Sequence, residues 1–437
     1  MIEADEKKAL LWIVVGALVL RLVLLFALGA HQIDDDWRFG YETGRVARAL
    51  AEGEGFSSPF RQPSGPTAWL MPAYPALLAL IFVALGTYSV GSAVAILVIN
   101  CIFGALTCAA VYLLAREIFG RATATLSAIV FALYPPSIWH SINSIWDTSL
   151  LTLVVVLLIY GLYRMPDDNR RVTFIAYGIA LGLAVWVNPV ILSILPVIWW
   201  RLWRRSRGPL SQRLEAVVLV TLVMVVVVTP WVIRNHRQFG RLYLRSNLGL
   251  ELMLGNSDAA WEDYLAGSLS STWARRHPSV VPEELQRFVS MGEEAYVEEA
   301  MGEALAFIVE RPGKFARLTV NRVYHFWLSD LKAKSEWSGN LAVSVSLSWM
   351  KKASHLVPML FIVLGLAIAV KKRRDIGPLI GTMVLFPAVY YITNITERYR
   401  FPIEPFLVIL ASVGLLWVVA RTGLWPGGSR FAPVDSG

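Results

Sequence analysis

Apolar residues along this chain fall in long runs, and the charged residues gather in short clusters between them. The runs at about 9–30, 90–115, 122–138, 145–163, 172–187, 190–203, 214–233, 354–370, 376–392 and 403–420 are read as helices that cross a bilayer, because roughly 18 or more apolar residues reach across the hydrocarbon. The stretch 73–86 is also apolar but shorter, a length that suits a re-entrant or interfacial helix. Topology decides its place. With the N-terminus inside and 73–86 not crossing, Arg116, Arg121, Arg164, Arg170, Arg171, the Arg201–Arg213 cluster, Lys371–Arg374 and Arg421 all fall inside, as the bias of cytoplasmic loops toward Lys and Arg requires. Counting 73–86 as a crossing would place nearly all of these loops outside. Ten crossings follow, with both termini cytoplasmic.

This pattern leaves two large external regions, 31–89 and 234–352, and a small one at Asn394–Pro402. The expected organisation is therefore a transmembrane core over 1–233 that includes the first external loop, an external helical region over 234–352, and C-terminal crossings with a short tail over 353–437. Within the external region, Met291–Glu310 and Lys314–Leu328 read as two helices broken at Arg311-Pro312-Gly313. The second is expected to lie along the membrane surface.

Composition agrees with the pattern. The 437 residues are 56% hydrophobic and 16% charged, where a soluble domain carries about 25% charged residues. The net charge of +8 sits in the inter-helix clusters, so it reads as a topology signal and not as a nucleic-acid surface. Cys101 and Cys108 lie in one apolar run, ~10 Å apart along a helix, beyond disulfide reach. The first run is too long for a typical signal-peptide core and is not followed by a small-x-small cleavage site, so it is expected to stay as an anchor. Most of the 17 tryptophans sit near run ends, where an aromatic belt explains them, with Trp37 and Trp69 as exceptions that could stack on a sugar. No lysine-bearing phosphate loop, His-Glu-x-x-His or Gly-x-Ser-x-Gly is present.

Candidate chemistry gathers at the external face. Asp34-Asp35-Asp36 and then Glu42 follow the first run. One of these carboxylates could act as general base or metal ligand; the alternative is a solvated loop that marks a helix start. Asp147 stands near the outer end of a predicted crossing, and an acid at such a boundary is a functional candidate by default; the alternative is an acid favoured by a helix N-terminus. Arg398 and Arg400, with Tyr399 between them, are external arginines that oppose the positive-inside trend. A phosphate is the ligand that guanidinium pairs best; snorkelling to headgroups is the alternative. Arg234 and Arg245 are further cationic candidates on the same side.

The order of these features resembles the GT-C class of membrane glycosyltransferases, in particular the family 39-like branch related to protein O-mannosyltransferases and aminoarabinose transferases. The segments that carry the resemblance are Phe39-Gly-Tyr41-Glu42-Thr-Gly44-Arg45-Val-Ala47, Gly65-Pro66-Thr67-Ala-Trp69-Leu-Met-Pro72-Ala-Tyr74-Pro75, Ala115-Arg116-Glu-Ile-Phe119-Gly120-Arg121, Pro230-Trp231-Val-Ile-Arg234-Asn235, Gly249-Leu-Glu251-Leu-Met-Leu-Gly255-Asn256 and Glu397-Arg398-Tyr399-Arg400-Phe-Pro402. The resemblance implies an all-α GT-C fold with juxtamembrane helices in the first external loop. It implies inverting transfer of a sugar from a polyprenyl-phosphate carrier to a lipid, glycan or protein acceptor, on the periplasmic or exterior side of a bacterial inner membrane. It places the base in the first external loop and a second acid, Asp147, after the third crossing, with a divalent ion such as Mg or Mn at the leaving phosphate in some members. The family often has Asp-Glu where this chain has Phe39-Gly40; the register favours Glu42 as base, with Asp36 second. The rival reading, a transporter or lipid flippase, would show paired broken helices near mid-membrane, whereas these acids cluster at one face.

Overall fold

A computed structural model describes residues 3–33, 36–143, 145–166, 170–205, 209–268, 271–328 and 359–422. Its helices in chain order are α1 (Ala4–Ala27), α2 (Glu42–Ala51), α3 (Ala73–Leu85), α4 (Val90–Phe119), α5 (Arg121–Leu133), α6 (Pro135–Ile142), α7 (Thr148–Arg164), α8 (Arg171–Val187), α9 (Leu195–Arg205), α10 (Leu210–Phe239), α11 (Leu248–Gly255), α12 (Asp258–Leu265), α13 (Ser271–Arg276), α14 (Pro282–Met291), α15 (Glu293–Glu310), α16 (Pro312–Leu328), α17 (Met359–Lys371), α18 (Gly377–Leu385), α19 (Ala388–Ile392), α20 (Glu397–Arg400) and α21 (Glu404–Thr422). No strand occurs among the described residues; one isolated bridge pairs Ser57 with Pro66.

All ten apolar runs are helical where they are described, but they differ in reach. α1, α4, α10 and the segment Phe401–Thr422 are long and apolar enough to cross a membrane; the pair α5–α6, bent by 51°, has the composition of either a broken fifth span or a re-entrant loop. The rest are shorter. α7 and α8 have 17 residues each, about 25 Å at 1.5 Å per residue, which is the lower end of what spans. The run 190–203 is divided between a 3-10 turn, Pro189–Ile194, and α9. The run 376–392 is divided at Phe386-Pro387 into α18 and α19. Residues 354–358 and 329–352 lie outside the described residues. α3 has 13 residues and packs on α2 and α4, with Tyr74, Leu78 and Phe82 buried and Leu80 and Val83 exposed.

The bend between α5 and α6 follows from covalent structure. Pro136 has no N–H to donate to Ala132 O four residues back, which leaves that carbonyl without its helical partner. Arg21 of α1 supplies the donor: its guanidinium, 0% exposed, donates to Ala132 O at 3.3 Å, to Ala17 O at 3.0 Å and to Ser137 Oγ at 2.6 Å. Elsewhere small residues let helices close in. On α8, a Cβ at Gly178 would meet Val223 and the Val220 carbonyl of α10 at 2.8–2.9 Å, the close approach that small residues give to membrane helices.

The region that follows α10 is tied to the loop between α2 and α3 by buried polar contacts. Glu293, at the start of α15, accepts from Thr67 Oγ1, from Ala68 N at 2.8 Å and from Ser246 Oγ at 2.6 Å. An apolar cluster of Phe60, Trp69, Leu250, Phe288 and Tyr296 surrounds this junction.

Candidate active site

The two acid-bearing segments meet because of Gly40. A Cβ there would run into the Ile145 carbonyl, and its φ is +83°, a region that only glycine occupies without strain. Tyr41 follows with φ +50° and packs its ring edge-on against Trp146 at 5.1 Å. Residues 40–42 are thereby locked onto residues 145–147. Glu42 opens α2 and Asp147 occupies the N-cap position of α7 without a side-chain capping bond, so both carboxylates stand at helix N-termini, where the dipole favours negative charge.

A cavity of about 1090 Å³ opens at this junction, lined by Glu42, Asp147, Arg245, Glu251, Arg398 and Tyr399 among others. Its apolar wall includes Leu151, Val187, Val190, Leu192 and Val232. Each charged group has a defined support. Glu42, 7% exposed, accepts a hydrogen bond from the Ser279 hydroxyl of the external region. Asp147 accepts from Asn188 Nδ2 at 2.9 Å, and Asn188 is held by the Val190 N–H at 3.1 Å. Arg245 donates to Trp69 O at 2.9 Å. Arg398 lies over the Trp146 ring, 3.7 Å from its centroid, a cation–π contact. Tyr399 stacks on Tyr390 at 4.1 Å.

His277 also lines the cavity, and burial pushes its imidazole down to about 4, with Glu42 pulling the other way. Its Nδ1 accepts from Ser279 N at 3.1 Å, which places the proton of the neutral ring on Nε2. The unfolded chain binds this proton below about 6.5 and the folded chain only below about 4. The contribution to stability is therefore full above about 6.5 and is lost as the pH falls from there to about 4, by roughly 3 kcal/mol. Melting measured from pH 7 to pH 4.5 is expected to show this fall, and His277→Phe is expected to flatten it. An unchanged slope in the variant would assign the fall to other groups.

The remaining candidates stand elsewhere. Arg400, two residues beyond Arg398, turns away from the cavity: it is 6% exposed, donates to Trp327 O at 2.9 Å and pairs with Glu404 at 3.5 Å. Arg234 is committed to the first loop, donating to Thr67 O and to Phe56 O at 2.8 Å, and it is not on the cavity wall. Asp36 pairs with Arg45 at 3.0 Å and is likewise off the wall. Asp34 and Asp35 lie outside the described residues. The wall adds Glu251, His277 and Asn188, which were not among the sequence candidates. Glu251 alone had a signal, as the single charge in the apolar stretch Leu248–Leu254.

Comparison with known proteins agrees with this architecture. Residues 71–233 match the family model described as dolichyl-phosphate-mannose-protein mannosyltransferase. The archaeal oligosaccharyltransferase AglB from Archaeoglobus fulgidus, solved with an inhibitory peptide and a dolichol-phosphate, superposes with a TM-score of 0.54 at 16% identity, over 99% of this chain and 53% of that one. The fold is GT-C. The apo form of the Archaeoglobus fulgidus enzyme gives 0.54 at 14% identity, over 96% and 52%. ArnT from Cupriavidus metallidurans bound to undecaprenyl phosphate gives 0.41 at 15%, over 94% and 79%. The chain thus spans about half the length of the oligosaccharyltransferase it matches. No curated protein matches it.

A further structure of the Archaeoglobus fulgidus oligosaccharyltransferase carries zinc and sulfate. Among the described residues, no three of His, Cys, Asp and Glu gather closely enough to hold an ion. Asp147 has an amide for its neighbour and Glu42 a hydroxyl. The described donor set does not fit a metal centre.

Proposed function

We propose that this protein transfers a sugar from a polyprenyl-phosphate carrier to an acceptor hydroxyl by a single inverting displacement at the non-cytoplasmic face of a bacterial inner membrane. One observation carries the reading: Glu42 and Asp147 share a cavity with Arg245 and Arg398 beside an apolar wall. The wall suits a polyprenyl chain and the guanidiniums suit its phosphate. The phosphate-binding groups in this reading are Arg245, Arg398 and Tyr399. Arg234 and Arg400 instead hold the loops in place: both stand off the cavity wall and give Nη atoms to backbone carbonyls, whereas Arg245 lines the cavity and gives only its Nε to Trp69 O.

In the reaction, the acceptor oxygen attacks the anomeric carbon as its proton passes to the Glu42 carboxylate. The bond between that carbon and the phosphate oxygen breaks, and the electron pair leaves on the phosphate. Arg398 and Arg245 stabilise the growing negative charge in a partly dry site, where fixed donors act most strongly. Asp147 places negative charge near Arg398, which keeps that guanidinium charged. The lipid, glycan or protein nature of the acceptor is set by what enters the cavity.

The test uses the full chain in vesicles with a polyprenyl-phosphate sugar labelled in the sugar and a membrane extract as acceptor source. Labelled acceptor and free polyprenyl phosphate in equal amounts are expected. Movement of the intact labelled lipid between leaflets, with no bond cleaved, would instead make this protein a flippase.

A further inference from the structure

His277, Pro278 and Ser279 form a turn that is buried, although loops normally run over the surface, where water satisfies their backbone. Pro278 holds the second position, where proline presets the φ that a turn needs. Val280 N closes the turn on His277 O at 2.9 Å, and Val281 N reaches the same oxygen at 3.0 Å. The Ser279 N–H is left over, and His277 Nδ1 accepts it at 3.1 Å. The Ser279 hydroxyl leaves the turn altogether: it donates to Glu42 Oε1, 237 residues earlier in the chain.

α13 brings this turn to α2. Trp273, on α13, has its ring centroid 6.1 Å from Trp37, 6.3 Å from Tyr41 and 5.3 Å from His277. Trp37 and Tyr41 lead directly into Glu42, so the same aromatic contact seats the turn and the start of α2 against each other. What the hydroxyl then does follows from the torsions of glutamate. Its χ3 is broad and roughly two-fold, so rotamer preference does not fix which carboxyl oxygen faces the cavity. A donor held on a proline-set turn does. With Oε1 taken by Ser279, Oε2 accepts no hydrogen bond among the described residues, and Glu42 lines the cavity.

We propose that Ser279 is a positioning residue for the transfer reaction: it holds Glu42 Oε1, so that Oε2 is the atom that takes the acceptor proton. This rests on the proposed function and assigns part of its machinery to the region after α10. In the step, the acceptor O–H bond breaks and its proton bonds to Oε2. The oxygen's electron pair bonds to the anomeric carbon, and the pair of the bond between that carbon and the phosphate oxygen leaves on the phosphate. Misplacing a reacting group by about 1 Å costs about 10²-fold in rate, so loss of the hydroxyl is expected in kcat and not in donor KM.

The experiment compares the full-length wild type, Ser279→Ala, Glu42→Gln and the double variant in vesicles, with labelled polyprenyl-phosphate sugar as donor and a membrane extract as acceptor source. Ser279→Ala is expected to lower kcat at least tenfold, with donor KM within twofold. In the Glu42→Gln background the same change is expected to cost less than twofold, because a group that acts only through Glu42 has nothing left to position. Binding of sugar-free polyprenyl phosphate by Ser279→Ala is expected to stay within threefold, which reports an intact fold. Wild-type kcat in Ser279→Ala overturns the role of Ser279 and leaves the proposed function standing. An equal loss in both backgrounds, or loss of carrier binding, overturns it too, by giving Ser279 to the fold alone. A wild-type protein that transfers no sugar from the carrier overturns both readings.

Discussion

Glu42→Gln is expected to lower sugar transfer by about 10²–10⁴ while donor binding is retained. The amide has nearly the same shape and can still accept from Ser279, whose hydroxyl bonds Glu42 from the external region, but it cannot take the acceptor proton at neutral pH. Loss of a positioned general base has effects of that size. The measurement is single-turnover transfer with saturating polyprenyl-phosphate sugar, alongside carrier binding. A variant that binds donor and transfers within tenfold of the wild type would remove Glu42 as the base. Asp36, held in its pair with Arg45, offers a control: Asp36→Asn is expected to disturb the loop and not to abolish the chemistry.

The second large effect is expected at Arg398. Its guanidinium carbon stands 3.7 Å from the Trp146 ring centroid and the side chain lines the cavity, where in the proposed reaction it meets the charge that grows on the leaving phosphate. Removing one such preorganised donor costs about 10²–10³ in rate. Arg398→Ala is expected to show a loss of that order, together with weaker binding of sugar-free polyprenyl phosphate. Arg398→Lys keeps the charge but not the planar stack or the paired donors, so it is expected to recover only part of the loss. Arg400→Ala separates site from scaffold: Arg400 braces Trp327 and Glu404, so its loss is expected in melting temperature before it is seen in carrier affinity at a permissive temperature. Equal carrier affinity in wild type and Arg398→Ala would take the phosphate away from this end of the cavity.

Much of the fold is legible in the pattern of the chain, for a physical reason. An apolar run long enough to reach across a bilayer has few structures open to it besides a helix. Hydropathy alone does not say where such a run divides. The break in 190–203 depends on Asn188 capping a 3-10 turn with its own side chain, a local competition that hydropathy does not register. The break in 122–138 was signalled by Pro135-Pro136, but the partner that makes it tolerable, Arg21, lies more than a hundred residues away.

The site is legible to a lesser degree. Acidity and sidedness singled out Glu42, Asp147, Arg245 and Arg398, and the fold brings all four to one cavity. The same criteria singled out Arg234 and Arg400, which the fold spends on backbone carbonyls. An arginine that lines a cavity and one that braces a loop have the same one-dimensional signature; what separates Arg245 and Arg398 from Arg234 and Arg400 is whether the folded chain leaves the side chain on the cavity wall. Glu251, His277 and Ser279 come from the external region, and their relation to the first loop exists only once α11, α13 and the turn after it close over α2.

Arg21 has a consequence for how the chain is made. An arginine within an apolar segment adds about 2.5–3.5 kcal/mol to the free energy of insertion at mid-helix, and less toward the ends. Two of its three acceptors, Ala132 O and Ser137 Oγ, are synthesised more than a hundred residues later. A nascent chain that has released only α1 therefore holds a cation against lipid with Ala17 O of its own helix as the one acceptor of the three. The first helix gains its full preference for the bilayer only when the bent pair α5–α6 has emerged beside it, so biogenesis of the N-terminal third proceeds as one unit and not helix by helix.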